Sequence, residues 1–411
     1  MTQEKIKIGF YERATGTGGS TRYLNQLIAR IETDDYEPVL FCTRTSFERF
    51  RSLYEKAGVQ PVFLSSHPCA DASKGGGAEK KSFRLPLSLA LMMGYVRETV
   101  RLSRIFKQNP VTTLHSMDSG CEIVPVAAKL AGIPRVLGTL HAYPAYEKKA
   151  GGFVRRVIEW GSLRFFDELI AVSQATRKAW TKRCGLPEGK IRVIYNGIDP
   201  AELGRGWPPE QGEKLKRRLG LNPGDKSIGL IGRLHPMKGH IFLLKAMKKL
   251  LSEFSDLKVF FVGEGPLEKE LRDEVRRGNL EKNVFFLGYR EDAVHLMGLF
   301  DVIVLPSTML ECLPYVLIEA AWLGKPAIGT QVAGIPEVIE NCETGYVVPA
   351  GNAERLADAV LQILRNSVLA KKMGEQGRAR AQRLFTEDRM IRETYDVYEN
   401  QLREAGIRSH A

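Results

Sequence analysis

Residues 228–251 read IGLIGRLHPMKGHIFLLKAMKKLL. The first four are apolar and suit a buried strand, the next eight hold two glycines and a proline and suit a loop, and the rest has the apolar spacing of a helix. Strand, loop and helix in that order form half of a βαβ unit, and the same alternation extends in both directions along the chain. Toward the N-terminus, strands are expected at 6–10, 38–42, 111–114, 135–140, 168–172 and 190–194; toward the C-terminus, at 258–262, 284–287, 302–305, 327–329 and 346–348. The reading is α/β, two Rossmann-like parallel sheets in tandem. The break falls after NGIDP (196–200), and a polar Gly/Pro-rich stretch up to Asp225 is the expected linker. The expected domains are therefore 1–200, 201–387 and a C-terminal helical segment, 388–411, packing back on the first domain.

The 411 residues are enough for two domains with cores of their own, and 44% hydrophobic with 26% charged residues excludes a disordered or fibrous chain. The six cysteines are scattered, with no CxxC and no Cys/His cluster at zinc spacing, which fits a reduced compartment. MTQEKIKIGF leads straight into a strand pattern without a secretory h-region, and the longest apolar stretch, 85–96, has 12 residues, too short to span a bilayer. A cytoplasmic location is expected. The net charge of +12 is uneven: residues 1–205 hold 31 of the 60 Lys and Arg but 20 of the 48 Asp and Glu.

Ligands of doubly wound sheets bind beyond the carboxyl ends of strands, so the informative loops are those that follow strands. GTGGSTR (16–22) leads into a helix N-terminus whose free N–H groups suit an anion, with a plain tight turn as the competing reading. It is not a dinucleotide fingerprint: Thr21 stands where the third glycine belongs, and the second strand ends in Thr43-Arg44 instead of an acid. Arg233 and Lys238 share one loop, a guanidinium fork and a mobile ammonium suited to a diphosphate. In STMLECLPYVLIEAAWLGKP (307–326), Glu311 precedes a helix and Glu319 lies in its second turn, where carboxylates can accept bonds from sugar hydroxyls. No DxD occurs in the chain, so magnesium chelation of a diphosphate has no evident ligands.

Together, GG-x-x-R, GRL-x-x-x-KG, VGEGP (262–266), S-x-x-x-E-x-x-P-x-x-x-x-E-A and GIPEVI (334–339) resemble glycosyltransferase family 4, over nearly the whole chain. The resemblance implies the GT-B fold, two Rossmann-like domains facing across a cleft, and a retaining transfer from a nucleoside diphosphate sugar. It implies that Arg233 and Lys238 bind the donor diphosphate, Glu319 the ribose and Glu311 the transferred sugar, while the Gly18-Gly19 backbone approaches the phosphate or sugar. Tyr289 and Arg290 match the place of the base, and Cys312 and Leu313 lie where backbone N–H groups approach the donor. Cys312 departs from the family's usual glycine. His141, directly after a strand, matches the family's active-site histidine; His115 and Asp118 are weaker candidates for acceptor contact. No metal and no cofactor beyond the nucleotide sugar are expected.

The positive surplus concerns the acceptor. Residues 74–107 carry eight Lys and Arg against two Glu, around an apolar run, and a second basic stretch at 148–164 is interleaved with Phe153, Val154, Ile158 and Trp160. That mixture suits an anionic membrane surface better than nucleic acid, which is not an expected partner, and a solvated basic helix face explains the same charges. The expected acceptor is a glycan or lipid-linked saccharide of envelope glycolipid, lipopolysaccharide or polysaccharide synthesis, with peripheral attachment at the inner face of the membrane. The rival function is a basic surface- or nucleic-acid-binding protein that kept the fold without the chemistry.

Overall fold

Apolar β-branched runs form two fully parallel sheets in a computed structural model, which describes residues 5–13, 18–64, 87–117, 123–144, 152–203 and 208–407. One unit comprises residues 1–194 and 391–411, the other 195–390.

The first unit holds β1 (Ile6–Tyr11), β2 (Tyr36–Cys42), β3 (Gln60–Phe63), β4 (Thr113–Ser116), β5 (Arg135–Leu140), β6 (Glu168–Ala171) and β7 (Ile191–Val193), in the order β3-β2-β1-β4-β5-β6-β7. Its helices are α1 (Gly19–Ala29), α2 (Arg44–Arg49), α3 (Arg51–Lys56), α4 (Leu87–Gln108), α5 (Val124–Ala131), α6 (Gly152–Ser162) and α7 (Gln174–Cys184). The strand order runs one way from β1 to β3 and the other way from β3 to β7. Right-handed crossovers therefore put α1–α3 on one face of the sheet and α4–α7 on the other.

The second unit begins with α8 (Pro209–Arg218) and continues through β8 (Ser227–Ile231), α9 (His240–Leu251), β9 (Lys258–Val262), α10 (Glu268–Arg277), β10 (Val284–Phe286), α11 (Ala293–Met297), β11 (Val302–Leu305), α12 (Tyr315–Trp322), β12 (Ala327–Thr330), α13 (Ile335–Val338) and β13 (Gly345–Val348). Helices α14 (Ala353–Arg365) and α15 (Ser367–Leu384) follow, and the sheet order is β10-β9-β8-β11-β12-β13. Each sheet has its own buried aliphatic and aromatic cluster, one built on Phe41, Phe106 and Leu169 and the other on Leu230, Phe261 and Val304.

The last helix, α16 (Glu387–Glu404), starts in the second unit and continues in the first. There Thr394 bonds Tyr23 at 2.8 Å and Tyr398 bonds His115 at 2.6 Å. Upstream, Ile198 of NGIDP pairs with Thr386, so that motif belongs to the second unit.

Candidate active site

A doubly wound sheet opens a crevice where its strand order reverses. In the second unit this point lies between β8 and β11, and both informative loops leave it. The loop after β8 carries Arg233 and Lys238; the loop after β11 carries Glu311. They meet: Lys238 Nζ donates to Glu311 Oε1 at 2.6 Å, with both side chains largely buried.

Three features hold that carboxylate. Ser307, fully buried, donates its hydroxyl to the same Oε1 at 2.7 Å, and Thr330 at the end of β12 donates to the Ser307 carbonyl at 2.5 Å. The Gly334 N–H donates to the Glu311 carbonyl at 2.8 Å, and a Cβ on Gly334 would stand 1.7 Å from the Cys312 carbonyl oxygen, which is why glycine opens GIPEVI. Leu310 has φ +61°, rare for a branched side chain, and so turns the chain sharply just ahead of Glu311. Ser307 was visible in the sequence only as a motif letter; Thr330 carried no signal.

Arg233 is exposed and, among the described residues, has no hydrogen-bond or ion-pair partner. Its guanidinium is free to take an anion two strand-end residues away from β8. Cys312 and Leu313 are buried ahead of α12, and Pro314 caps that helix with extended dihedrals. Glu319 is buried in the second turn of α12. A further contact went unforeseen: the Asn196 amide, buried, donates to the Leu313 carbonyl at 3.0 Å, tying NGIDP to the loop before α12.

Tyr289 and Arg290 follow β10, at the same carboxyl edge. Tyr289 is 61% exposed, its N–H donates to Glu264 Oε1 at 3.3 Å, and Arg290 is bidentate to Asp292 at 2.7 Å on both arms. The Tyr289 ring is thus a free apolar face, while the Arg290 fork is already engaged.

The first unit's reversal lies between β1 and β4. Gly18 caps α1 and is exposed with Gly19, and a Cβ on Gly18 would meet nothing within 4 Å. Among the described residues, nothing requires a bare backbone at that position. His141 follows β5, stacks edge-on against Tyr23 of α1 at 4.9 Å, and keeps a buried Nε2 without a hydrogen-bond partner among the described residues. Burial lowers its pKa to about 3, so the ring is a neutral imidazole at physiological pH.

His115 corrects an expectation. It is fully buried in β4, with Nδ1 bonded to the Tyr398 hydroxyl at 2.6 Å and Nε2 to Thr139 Oγ1 at 2.7 Å. Both ring nitrogens are used inside the core, leaving none for an acceptor; the residue fastens β4 and β5 to α16. Asp118 lies outside the described residues. Among those residues, no three His, Cys, Asp or Glu side chains gather as a metal site.

The family model for Glycosyltransferase Family 4 matches residues 17–202, and the model for glycosyl transferases group 1 matches 211–380. The chain belongs to glycosyltransferase family 4. Among relatives of this family-4 chain, the N-acetyl-alpha-D-glucosaminyl L-malate synthase of Bacillus anthracis is 28% identical over 66% of the chain and 69% of its own length. The UDP-Gal:alpha-D-GlcNAc-diphosphoundecaprenol alpha-1,3-galactosyltransferase of Escherichia coli is 26% identical over 67% and 72%. The solved structure of Anabaena HepE in complex with UDP-glucose superposes with a TM-score of 0.77 over 96% of this chain and all of that one, at 20% identity, which establishes the fold. The protein is a glycosyltransferase with two Rossmann-like domains of the GT-B type.

Proposed function

We propose that this enzyme moves a glycosyl group from a nucleoside diphosphate sugar to an acceptor hydroxyl with retention at the anomeric carbon and without a bound metal. The observation that carries the reading is the Lys238–Glu311 pair at the strand reversal of the second unit, beside an Arg233 that has no partner among the described residues. The nucleotide sugar is supported further by solved structures of the same fold that hold UDP or UDP-glucose.

In the proposed reaction the bond between the anomeric carbon and the diphosphate oxygen breaks, and a bond from the same carbon to the acceptor oxygen forms on the same face. The acceptor proton passes to the departing diphosphate. Arg233 and Lys238 stabilise the negative charge that grows on the diphosphate, an interaction stronger in the transition state than in the ground state. Glu311 would then exchange its bond from Lys238 for sugar hydroxyls, Glu319 would hold the ribose, Tyr289 would offer its face to the base, and Gly18 and Gly19 would admit the phosphate or sugar without a side chain. No carboxylate among these is an evident nucleophile, which favours a front-face path. The acceptor is proposed to be a lipid-linked saccharide or glycan, as the name of the Escherichia coli relative states for that protein.

A panel of labelled nucleotide sugars, scored for donor hydrolysis and transfer, tests the proposal. Turnover of one donor should survive EDTA, and Arg233→Ala or Lys238→Ala should each lower kcat/KM by about 10²-fold or more. Turnover lost on chelation and restored by magnesium would overturn metal independence, and unchanged kinetics in both variants would overturn the diphosphate assignment.

A further inference from the structure

Five polar side chains in the core of the first unit form one hydrogen-bonded chain: Thr394, Tyr23, Thr139, His115 and Tyr398. The Tyr23 hydroxyl lies 2.8 Å from Thr394 Oγ1 and is bonded to Thr139 as well. Thr139 Oγ1 lies 2.7 Å from His115 Nε2, and His115 Nδ1 lies 2.6 Å from the Tyr398 hydroxyl. None of the five is more than 1% exposed. The chain begins and ends on α16 and passes through α1, β5 and β4, so every buried polar group in it finds a partner on another element.

Tyr23 is the member of this chain that also reaches the strand ends. Its ring lies edge-on to His141, which follows β5, with the centroids 4.9 Å apart. It stands one turn inside α1, whose start is Gly18 and Gly19. That start has no side-chain cap and no acid in its first turn, which suits an incoming anion but leaves the helix end to be held from elsewhere. Two side chains hold it: Thr21 donates to the buried Glu12, just past β1, at 2.9 Å, and Tyr23 bonds α16 and β5. Burial raises the Tyr23 hydroxyl to about 12, so it keeps its proton at physiological pH. Phenylalanine would fill the same space with the same ring; the bonds alone ask for tyrosine.

We propose that Tyr23 is a positioning residue for the glycosyl transfer, its hydroxyl fixing the start of α1 against α16 and β5 while its ring fixes His141. Both groups that it places, the glycine pair after β1 and the histidine after β5, lie beyond carboxyl ends of strands, where ligands of such sheets bind. Without the hydroxyl, α1 can shift along the sheet and carry both with it, and a small displacement at a reacting centre is felt in turnover before it is felt in binding. The inference rests on the proposed reaction, in which Gly18 and Gly19 admit the phosphate or sugar.

The test is steady-state transfer by the full-length protein with the donor that it turns over, run well below the melting temperature of every variant. Tyr23→Phe should lower kcat about tenfold and change the donor KM by less than about threefold, because the diphosphate, ribose and base are assigned to the second unit. Thr394→Val should lower kcat in the same direction, Thr394→Ser should not, and the double variant Tyr23→Phe with Thr394→Val should be no slower than Tyr23→Phe alone. Ring nitrogen-15 shifts supply a readout apart from activity. In Tyr23→Phe, Thr139 keeps His115 Nε2 as its acceptor among the described residues, so the neutral His115 should carry its proton on Nδ1. An unchanged kcat in Tyr23→Phe, with melting alone lowered, would make the residue a structural one and overturn the inference; so would a His115 proton on Nε2 in that variant, since the chain would not run as described. A wild-type protein that turns over no nucleotide sugar would overturn the reaction itself, and this inference with it.

Discussion

One oxygen of Glu311 receives both the Lys238 ammonium and the Ser307 hydroxyl, at 2.6 and 2.7 Å. In the proposed reaction this carboxylate surrenders the ammonium to an incoming diphosphate and needs a second anchor to stay in place; Ser307, itself held by Thr330, would be that anchor. Ser307→Ala deletes one bond, worth about 1 kcal/mol to stability, so melting should move little. Steady-state kinetics should show kcat reduced about tenfold with a smaller change in donor KM, because the loss is felt as charge develops. An unchanged kcat would show that Lys238 alone orients the carboxylate. Arg233, Lys238 and Glu311 were legible as candidates because strand-end charges in a tandem α/β chain have few structural uses. Thr330 and Asn196 were not, since their partners lie 23 and 117 residues away and no spacing rule connects them. His115 was misread because a histidine at a strand end has the same sequence signature whether its ring faces solvent or, as here, Tyr398.

At the scale of elements, twelve of the thirteen strands follow from apolar runs, and the missing one has a physical reason. β3 reads QPVF, has a proline, is mostly exposed and pairs on one side only, so it lacks the buried signature of the others. Likewise α8 occupies much of the expected linker: PEQGEKLKRR has no apolar stripe and starts on a proline that suits the first helical position. The loops invite a paired experiment on two glycines. Gly334→Ala forces a methyl against the Cys312 carbonyl and should cost about 1–3 kcal/mol, seen as a lowered melting temperature, with turnover falling as Glu311 shifts. Gly18→Ala meets nothing among the described residues and should leave melting unchanged. If a phosphate or sugar approaches that backbone, its kcat/KM should still fall at least tenfold. Full activity in Gly18→Ala would remove the glycine pair from the proposed donor site.

For the molecule as a whole, three histidines among the described residues whose rings are buried set the response to acid. His115 and His141 in the first unit have pKa values lowered to about 3, and His240 in the second is lowered to about 4, each mainly because burial disfavours the imidazolium. In an unfolded chain each would titrate near 6.5, so below that pH the unfolded state binds more protons than the native state, and stability falls as pH falls. The window opens at about 6.5 and runs down to the lowered values. Carboxylates held low by arginine partners, Glu48 and Asp292, begin to give up their stabilisation only as pH falls through their ordinary values of 4.5 and 3.8, within the lower part of that window. At pH 5 each fully buried histidine should cost about 2 kcal/mol relative to pH 7. His115 reaches that figure, with no exposed surface; His141 keeps part of its residue exposed and should contribute less. Two such groups in the first unit against one in the second should make the first unit the more acid-sensitive. Urea unfolding followed at Trp180, buried in the first unit, and at Trp322 in the second would separate them, with each other tryptophan replaced by phenylalanine. A midpoint that does not move between pH 7 and 5 would mean that these rings gain protons in the native state, and that the bonds from His115 to Tyr398 and Thr139 do not hold the imidazole neutral.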